Sequence, residues 1–570
     1  MEKKWFKTDF IWDLETFPNC FTACFVYANG QGIRVFEISD RKDETEGLLE
    51  FLRKVKAGNY RLVGFNSQAF DYPILHHILT KARKAFTEGT KVKFTAKELY
   101  KVAMNLINSM KDEKFGSSIK EKDVIIPQVD LFKVHHFDNK NRSTSLKMLE
   151  YNMRSTNIED LPYPVGTTLT HIEKDVLVKY NKHDVMETLK FYWYSYENLK
   201  LREDLTAQFG FDCTNFNDTK IGKELFIRTL EKEKPGCCYE ITKFGRKVLQ
   251  TKREQIVIKD CLFPYIRFDR PEFKAVHDWF KTQVITETKG VFSDLLEHQL
   301  GDVAKYAEMV VKRKKLGNAN DCAKYGFDDF KGTRSKTFVP TEKQLSELKL
   351  SQPLGWIEEK ELKSPKGAKS YYWCWNVAET LNVVINGFRY DYGVGGIHGA
   401  KQGTIRSTEK RKIRSLDVKS FYPNMGIANQ IYPQHLGTTF CNVNSSLYEE
   451  RTKTVKGSAG NAALKLALNG SYGETNNEFS PLYDPAYTMS ITIGGQLSLC
   501  MLMEKLIDHC EAQIVMCNTD GFEYMIDVDK IGVDDEWVKW WEKETKLEME
   551  GLNYSTMFIA DVNSYVAVKE

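Results

Sequence analysis

What the chain lacks narrows it before any motif is read. No run of about 18 uninterrupted apolar residues occurs, the length a membrane-spanning helix needs, so neither a span nor a membrane partner is expected. The opening residues, MEKKWFKTDF, hold no apolar stretch of signal-peptide length, and the expected location is the cytoplasm in which the chain is made. No two cysteines stand at CxxC spacing. The 12 cysteines are scattered, with Cys237 and Cys238 the one adjacent pair. That disfavours a structural zinc site and leaves reduced core thiols or incidental surface residues. Internal repeats and low-complexity tracts are also missing. Charge of one sign is not in excess, since 81 Lys and Arg face 78 Asp and Glu for a net +3. Global charge therefore does not announce a nucleic-acid partner, although a local basic track would suffice and acidic metal sites would offset it in the sum.

What is present is ordinary for a well-packed protein: 42% hydrophobic, 12% aromatic and 28% charged residues over 570 positions. That length divides into about three or four packed units. Residues 9–38 carry β-rich runs (FIWDLETF, FTACFVY, IRVFEI), followed by an amphipathic helix over 46–55, a strand over 61–66 and a helix over about 72–86. A polar, Lys-rich stretch covers 87–125, a strand 128–132, and a long helix about 171–200. The pattern is α/β. From 201 to 385 the chain is mixed, with helices expected over 221–233, 271–284 and 303–315 and Gly/Asn/Asp-rich breaks around 316–333. Beyond 386, short β-rich runs alternate with glycine turns around one helical hairpin. Boundaries are placed near 200, 385, 445 and 475.

Asp13 and Glu15 lie two apart in a strand, so both project from one face. Two such acids repel unless a cation sits between them, and hard oxygen ligands select Mg²⁺ or Mn²⁺. Alone, the pair reads more simply as a solvated strand face. Asn66-Ser67-Gln68-Ala69-Phe70-Asp71, at the end of a second strand, adds a further carboxylate. Tyr180 and Asp184, four apart in a helix, share one side of it. Four acids of this kind can bind two metals, which activate a water and stabilise the leaving oxygen of a cleaved phosphodiester. His183, beside them, is read as solvent-exposed.

A second set begins with Asp417-Val418-Lys419-Ser420-Phe421-Tyr422-Pro423, a strand ending in a Pro-marked turn that also suits a plain capped helix start. Lys465, Asn469 and Tyr472 fall at i, i+4 and i+7 of an Ala/Leu-rich helix, a polar stripe suited to a triphosphate. Before it, Arg451 and Lys453 precede a turn at Gly457–Gly460, with Lys456 at the tip read as solvated. Residues 514–526 alternate as a hairpin with Asp520 at its tip. A lone Asp-Gly hairpin is ordinarily only a turn. Facing Asp417, it supplies the second carboxylate of a two-metal site.

The first set resembles the three motifs of the DEDD proofreading nucleases in their tyrosine variant, and the second resembles motifs A, B and C of phage-type B-family DNA polymerases. The resemblance covers roughly 9–190 and 386–568 and implies a ribonuclease H-like 3′→5′ exonuclease with a right-hand polymerase palm and short fingers. The implied domains are 1–200 exonuclease, 201–385 an insertion or N-terminal-type region, 386–445 palm, 446–475 fingers and 476–570 palm. By the same resemblance Asp13, Glu15, Asp71 and Asp184 bind metal, Tyr180 orients water, and Asn66 and Phe70 touch the substrate strand. Asp417, Asp520 and the Val418 carbonyl bind two Mg²⁺ ions, with Mn²⁺ as an alternative. Ser420, Phe421, Arg451, Lys453, Lys465 and Asn469 hold the incoming dNTP, Tyr422 excludes a ribose hydroxyl, and Tyr472 checks the nascent pair. Tyr392, Gly395, Gly396 and Tyr565 contact primer–template DNA. The implied protein is a monomer replicating a phage or mobile element in the host cytoplasm, its clamp, primase or helicase unspecified.

Departures are also visible. Asn518 stands where motif C begins with Asp, which predicts retained activity with altered metal preference, and Gly470 follows Asn469 where Ser is usual. Asp417 and Lys465 are 48 residues apart, and Gly473 and Asp520 are 47, too few for the insertions that accompany terminal-protein priming. Asn563-Ser564-Tyr565 replaces a Lys-x-Tyr primer element. The expectation is a missing or truncated thumb, or its replacement by 201–385, with weak processivity. The alternatives are a nuclease, or a primer–template-binding subunit, with a vestigial polymerase half.

Overall fold

The computed structural model describes residues 3–111, 119–139, 142–243, 245–286, 288, 300–308, 311–315, 357–363, 369–378 and 380–570. The expected breaks at 316–333 lie outside the described residues. The chain divides into two compact units, Met1–Gly222 with Thr454–Leu466, and Lys223–Lys453 with Ala467–Glu570.

The first unit is built on β1 (Asp9–Phe17), the centre of a five-stranded sheet with β2 (Cys20–Tyr27), β3 (Arg34–Ser39), β4 (Arg61–Gly64) and β5 (Gln128–Asp130) in the order β3-β2-β1-β4-β5. β1, β2 and β3 are antiparallel; β4 runs parallel to β1, and β5 parallel to β4. Successive side chains of a strand point to opposite faces, and β1 uses both. Phe10, Trp12 and Leu14 enter a core with α1 (Thr45–Ala57), α2 (Asp71–Thr87) and α3 (Ala96–Lys111). Ile11 enters a second core with Val185, Leu189 and Tyr192 of α4 (His171–Tyr194). Asp13 and Glu15, in phase with Ile11, are thereby aimed to the α4 side. α4 starts in a capping box between Thr170 and Glu173.

Most expected elements of this unit form, with two differences. The Lys-rich stretch 87–125 contains α3, whose Leu99, Ala103 and Leu106 are buried at helical spacing. The lysines between them occupy the other faces and mask the period. The expected single helix over 171–200 stops at Tyr194; Ser195 caps it, and a separate helix runs Tyr196–Phe209.

The second unit centres on a nine-stranded sheet: β6 (Leu381–Ile385), β7 (Phe388–Gly393), β8 (Gly396–Ala400), β9 (Gly403–Arg406), β10 (Arg411–Val418), β11 (Gln513–Asn518), β12 (Gly521–Asp527), β13 (Met549–Asp561) and β14 (Ser564–Lys569). The order is β6-β7-β8-β11-β12-β10-β13-β9, with β14 on β13. Helices α5 (Phe421–Asn429), α6 (Thr438–Lys453), α7 (Ala459–Thr475), α8 (Pro485–Cys510) and α9 (Val533–Thr545) follow the strands. α7 crosses the division between units at Leu466. α8 is long and apolar enough to cross a membrane, but its length is buried inside the protein. The Trp541 indole of α9 donates to the Ser498 carbonyl of α8 at 2.6 Å.

Elsewhere in this unit helices form at Asp218–Glu233, which starts before the division, and at Pro271–Thr282, near the expected spans. The helix expected over 303–315 does not form. Gly301–Lys305 is a short 3₁₀ turn and Val311–Lys315 is a strand paired antiparallel with Lys369–Ala378. Ladder pairing with a remote strand overrides the local helical propensity there. The first helix of the expected hairpin begins at Thr438, earlier than the expected 446.

Trp12 is 1% exposed and stacks on Phe25 with ring centroids 6.0 Å apart. Trp12→Ala should lower stability by about 3–5 kcal/mol, read as a urea midpoint of the full-length variant below that of the wild type. An unmoved midpoint would contradict this core.

Candidate functional site

Four acids meet beside α4 in the first unit. One ligand oxygen each from Asp13, Glu15 and Asp184 lies within 4.8 Å of the others. Asp71, at the start of α2, accepts the Leu14 backbone N–H at 3.3 Å and so sits beside β1. No cationic side chain is hydrogen-bonded to Asp13, Glu15 or Asp71 among the described residues. The Asn181 amide donates to Asp13 at 2.8 Å, and the Thr22 hydroxyl donates to Asn181 at 3.1 Å. Tyr180 is nearly buried, and its hydroxyl lies close enough to the Asp184 carboxylate to favour the ionised form against burial.

The electrostatic consequence is large. Burial, then the charges of Asp71, Glu15 and Asp184, hold Asp13 well above the usual carboxylate range. Burial and the Asp184 and Asp71 charges do the same to Glu15. Burial pushes Asp71 up to about 8, and burial, opposed by the Tyr180 hydroxyl, pushes Asp184 up to about 7. A hard divalent cation fits this donor set: clustered oxygens, no competing ammonium or guanidinium bonded to the three core acids, and ionised forms that need a counter-charge.

Two residues that sequence reasoning passed over hold the set in place. Asp130, fully buried at the end of β5, accepts the backbone N–H groups of Asn66, Gln68 and Phe132 at 2.9, 3.0 and 3.0 Å. It fixes the loop leading to Asp71, in which Asn66 takes a positive φ of 58°. Asn181 was legible only as part of Tyr180-Asn181-Lys182-His183-Asp184. His183 is not solvent-exposed as expected: its side chain is 15% exposed and pairs with buried Glu150 at 3.1 Å. The buried carboxylate holds the imidazole by a hydrogen bond, as a buried polar group requires. Asn66 itself is exposed, and Phe70 is half-buried against the α1–α3 core.

In the second unit, β10 and β12 are antiparallel neighbours with Asp417 opposite Gly521. The Val418 N–H donates to the Asp520 carbonyl at 2.8 Å. That bond brings Asp417, at the end of its strand, to the turn that carries Asp520. Burial, then the Asp520 charge, raises Asp417. A third acid shares the face: Glu523, 5% exposed, stands two positions beyond Gly521 and accepts the Ser415 hydroxyl at 3.2 Å. Burial and the Asp417 charge push it up to about 8. Sequence reasoning missed Glu523; its signal was an acid inside an apolar strand, in phase with Gly521.

Around these acids, Tyr422 stacks on Tyr472 with centroids 4.3 Å apart, and its hydroxyl donates to the Gly395 carbonyl at 3.0 Å. Phe421 is buried beneath them. Ser420 has a φ of 47°, and its hydroxyl accepts from Arg451 at 3.3 Å. Lys453 is exposed and pairs with Glu449 at 3.8 Å. Lys465 and Asn469 are both exposed on α7, Lys465 within the part that belongs to the first unit. Gly396 has a φ of 136°, and a Cβ there would meet the Thr519 backbone at 3.1 Å, so this close approach requires glycine. Tyr392 does not face outward as its expected DNA contact requires. It is 0% exposed, its hydroxyl 3.2 Å from the Cys500 thiol, because β7 turns that position into the core. Tyr565 is 40% exposed on β14. Asn518 stands opposite Gly521 on β11, in the row that contains Asp417. Cys20, Cys24, Cys213, Cys237, Cys238, Cys261, Cys441, Cys500, Cys510 and Cys517 are free and buried. Cys237, Cys238 and Glu231 lie close together, but the Glu231 carboxylate is taken by the backbone N–H groups of Gly236 and Cys238 at 2.8 and 2.7 Å.

No protein-family model matches the sequence, and no curated protein is similar to it. Among solved structures the chain is similar to the family B DNA polymerase from the hyperthermophilic archaeon Pyrobaculum calidifontis, at 13% identity and a TM-score of 0.41. The match covers 99% of this chain and 59% of that polymerase, so the chain spans less than two thirds of its neighbour's length. At that TM-score the likeness adds nothing to the geometry above.

Two outcomes follow. Without metal, acids raised to about 7 and 8 contribute stability that is complete below their ordinary pKa near 4 and is lost as pH rises toward 8. The Tm of the metal-free chain should therefore fall between pH 5 and about 8, and Mn²⁺ should restore it at the upper end. Asp13→Asn should flatten both responses; an unchanged Mn²⁺ response would contradict the cluster. In the second unit, a Cβ at position 521 would collide with the Asp417 carboxylate and approach the Leu416 carbonyl at 2.6 Å. Gly521→Ala should cost about 1–3 kcal/mol in a denaturant titration, and an unmoved midpoint would remove Asp417 from that position.

Proposed function

We propose that the protein is a DNA-directed DNA polymerase that extends a primer 3′-hydroxyl with dNTPs and proofreads with a 3′→5′ exonuclease. The observation that carries this reading is the ladder bond from Val418 to Asp520, which sets two carboxylates remote in sequence beside one another at one end of a sheet. The first unit supports the exonuclease half: its strand order and its mixture of antiparallel and parallel pairs suit a ribonuclease H-like domain. Its three clustered acids suit divalent cations.

Divalent cations bound at either set, Mg²⁺ or Mn²⁺, would lower the pKa of a coordinated hydroxyl or water and neutralise charge on the departing group. The chain's own residues do the remainder. Asp417, Asp520 and the Val418 carbonyl would hold the cations, and Glu523 would add the negative charge that Asn518 does not supply. Tyr422, fixed by its stack on Tyr472 and its bond to Gly395, forms a rigid wall where a sugar would lie. Ser420 steers Arg451, which with Asn469 would meet the triphosphate. In the exonuclease half Asp13, Glu15, Asp71 and Asp184 would hold the cations, and Tyr180, beside Asp184 on α4, would orient the water. Base pairing would supply sequence information and the protein would read phosphate and shape.

Asp417→Ala should abolish primer extension and leave single-strand degradation intact, while Asp13→Ala should do the reverse. A decline of both activities in either variant, or of neither, would contradict the assignment. Retained degradation with no synthesis in the wild type would favour the nuclease with a vestigial polymerase half.

A further inference from the structure

Among the described residues, the Lys-rich stretch that closes the loop before β5 faces a cavity that neither proposed reaction uses. It has a volume of about 760 Å³. Lys56, at the end of α1, His76 and Arg83 of α2, and Lys120 and Lys122 line it with a single acid, Asp123. Lys56, Arg83, Lys120 and Lys122 are exposed, and none makes an ion pair among the described residues. Their immediate neighbours do: Lys54 pairs with Glu50, Lys84 with Glu88, and Lys81 with Glu98. The His76 Nδ1 atom is buried with no hydrogen-bond partner. A chain with a net charge of only +3 thus leaves four cations and an unpartnered imidazole nitrogen facing one hollow. The cavity lies where β4 and β5 begin, whereas Asp130 closes β5 and Asp71 follows the far end of β4, so it lies at the opposite end of those strands from the acids.

We propose that this cavity binds the phosphodiester backbone of nucleic acid. That the anion belongs to nucleic acid rests on the polymerase and exonuclease reading. The cavity itself presents donors for phosphate oxygens and aliphatic Ile119, Val124 and Ile125, and among the described residues no Phe, Tyr or Trp lines it to offer a base a stacking face. Backbone contact without base readout follows from that lining. Either a single strand or a duplex presents the same chemistry.

The test uses the full chain in EDTA, so that no cleavage or synthesis occurs. Fluorescence anisotropy follows binding of a labelled oligodeoxythymidylate and of a labelled blunt duplex between about 50 and 200 mM salt. The Arg83→Glu, Lys120→Glu double variant should weaken binding at least about tenfold at the lower salt. It should also shrink the log–log salt slope by about 1.4–1.8, since each lost phosphate contact removes about 0.7–0.9. The Arg83→Gln, Lys120→Gln variant, with an unchanged Tm, should move affinity and slope in the same direction by less. Loss confined to the oligonucleotide identifies a single strand, loss confined to the duplex identifies a duplex, and loss of both identifies a shared track. Unchanged affinity and slope for both probes overturn the proposal, as does an equal loss of polyglutamate binding. Failure of the Asp417 and Asp13 variants to behave as assigned would overturn the catalytic reading and leave this binding measurement standing.

Discussion

Like charges that share a buried space are the constraint on which both candidate sites turn. Desolvation penalises every ionised carboxylate, and each additional one penalises the rest. In the first unit Asp13, Glu15, Asp71 and Asp184 all stand above their ordinary range for that reason. In the second unit Asp417 and Glu523 do so beside Asp520. A sheet can hold such a set only if the backbone over-determines where each acid goes. It then stores a preference for multivalent cations, because a cation removes several repulsions at once.

The backbone devices are specific. Asp130 gathers three N–H donors and fixes the loop that delivers Asp71. Asn181 is oriented by Thr22 and in turn orients Asp13. Asn66, Ser420 and Thr519 each adopt a positive φ, at 58°, 47° and 63°, next to the segments that carry the acids. Non-glycine residues there cost about 1–3 kcal/mol and persist where the surroundings impose them. Gly521 has the opposite role: its missing Cβ is the space into which the Asp417 carboxylate leans. Synthesis and degradation would thus rest on the same physical device built on two different sheets.

The strands of the first unit were legible because β1 alternates apolar residues toward both cores, and the phase that buries Ile11 is the phase that aims Asp13 and Glu15. The hairpin around Asp520 was legible from two apolar runs flanking a polar turn. What escaped has common causes. The helix at Ala96–Lys111 was hidden by lysines on its solvent faces. Val311–Lys315 owes its extended form to a partner far along the chain, which local propensity cannot report. His183 and Tyr392 were misplaced because each is governed by a contact, with Glu150 and with Cys500, that only tertiary structure creates. Glu523 and Asp130 were overlooked because a single buried acid carries no spacing signature.

Anomalous scattering from crystals of the wild-type chain soaked in Mn²⁺ tests the shared-cation claim most directly. Peaks at coordination distance from the oxygens of Asp13, Glu15 and Asp184, and from those of Asp417 and Asp520, are the predicted result. Fully ordered carboxylates with no Mn²⁺ at either set would contradict it.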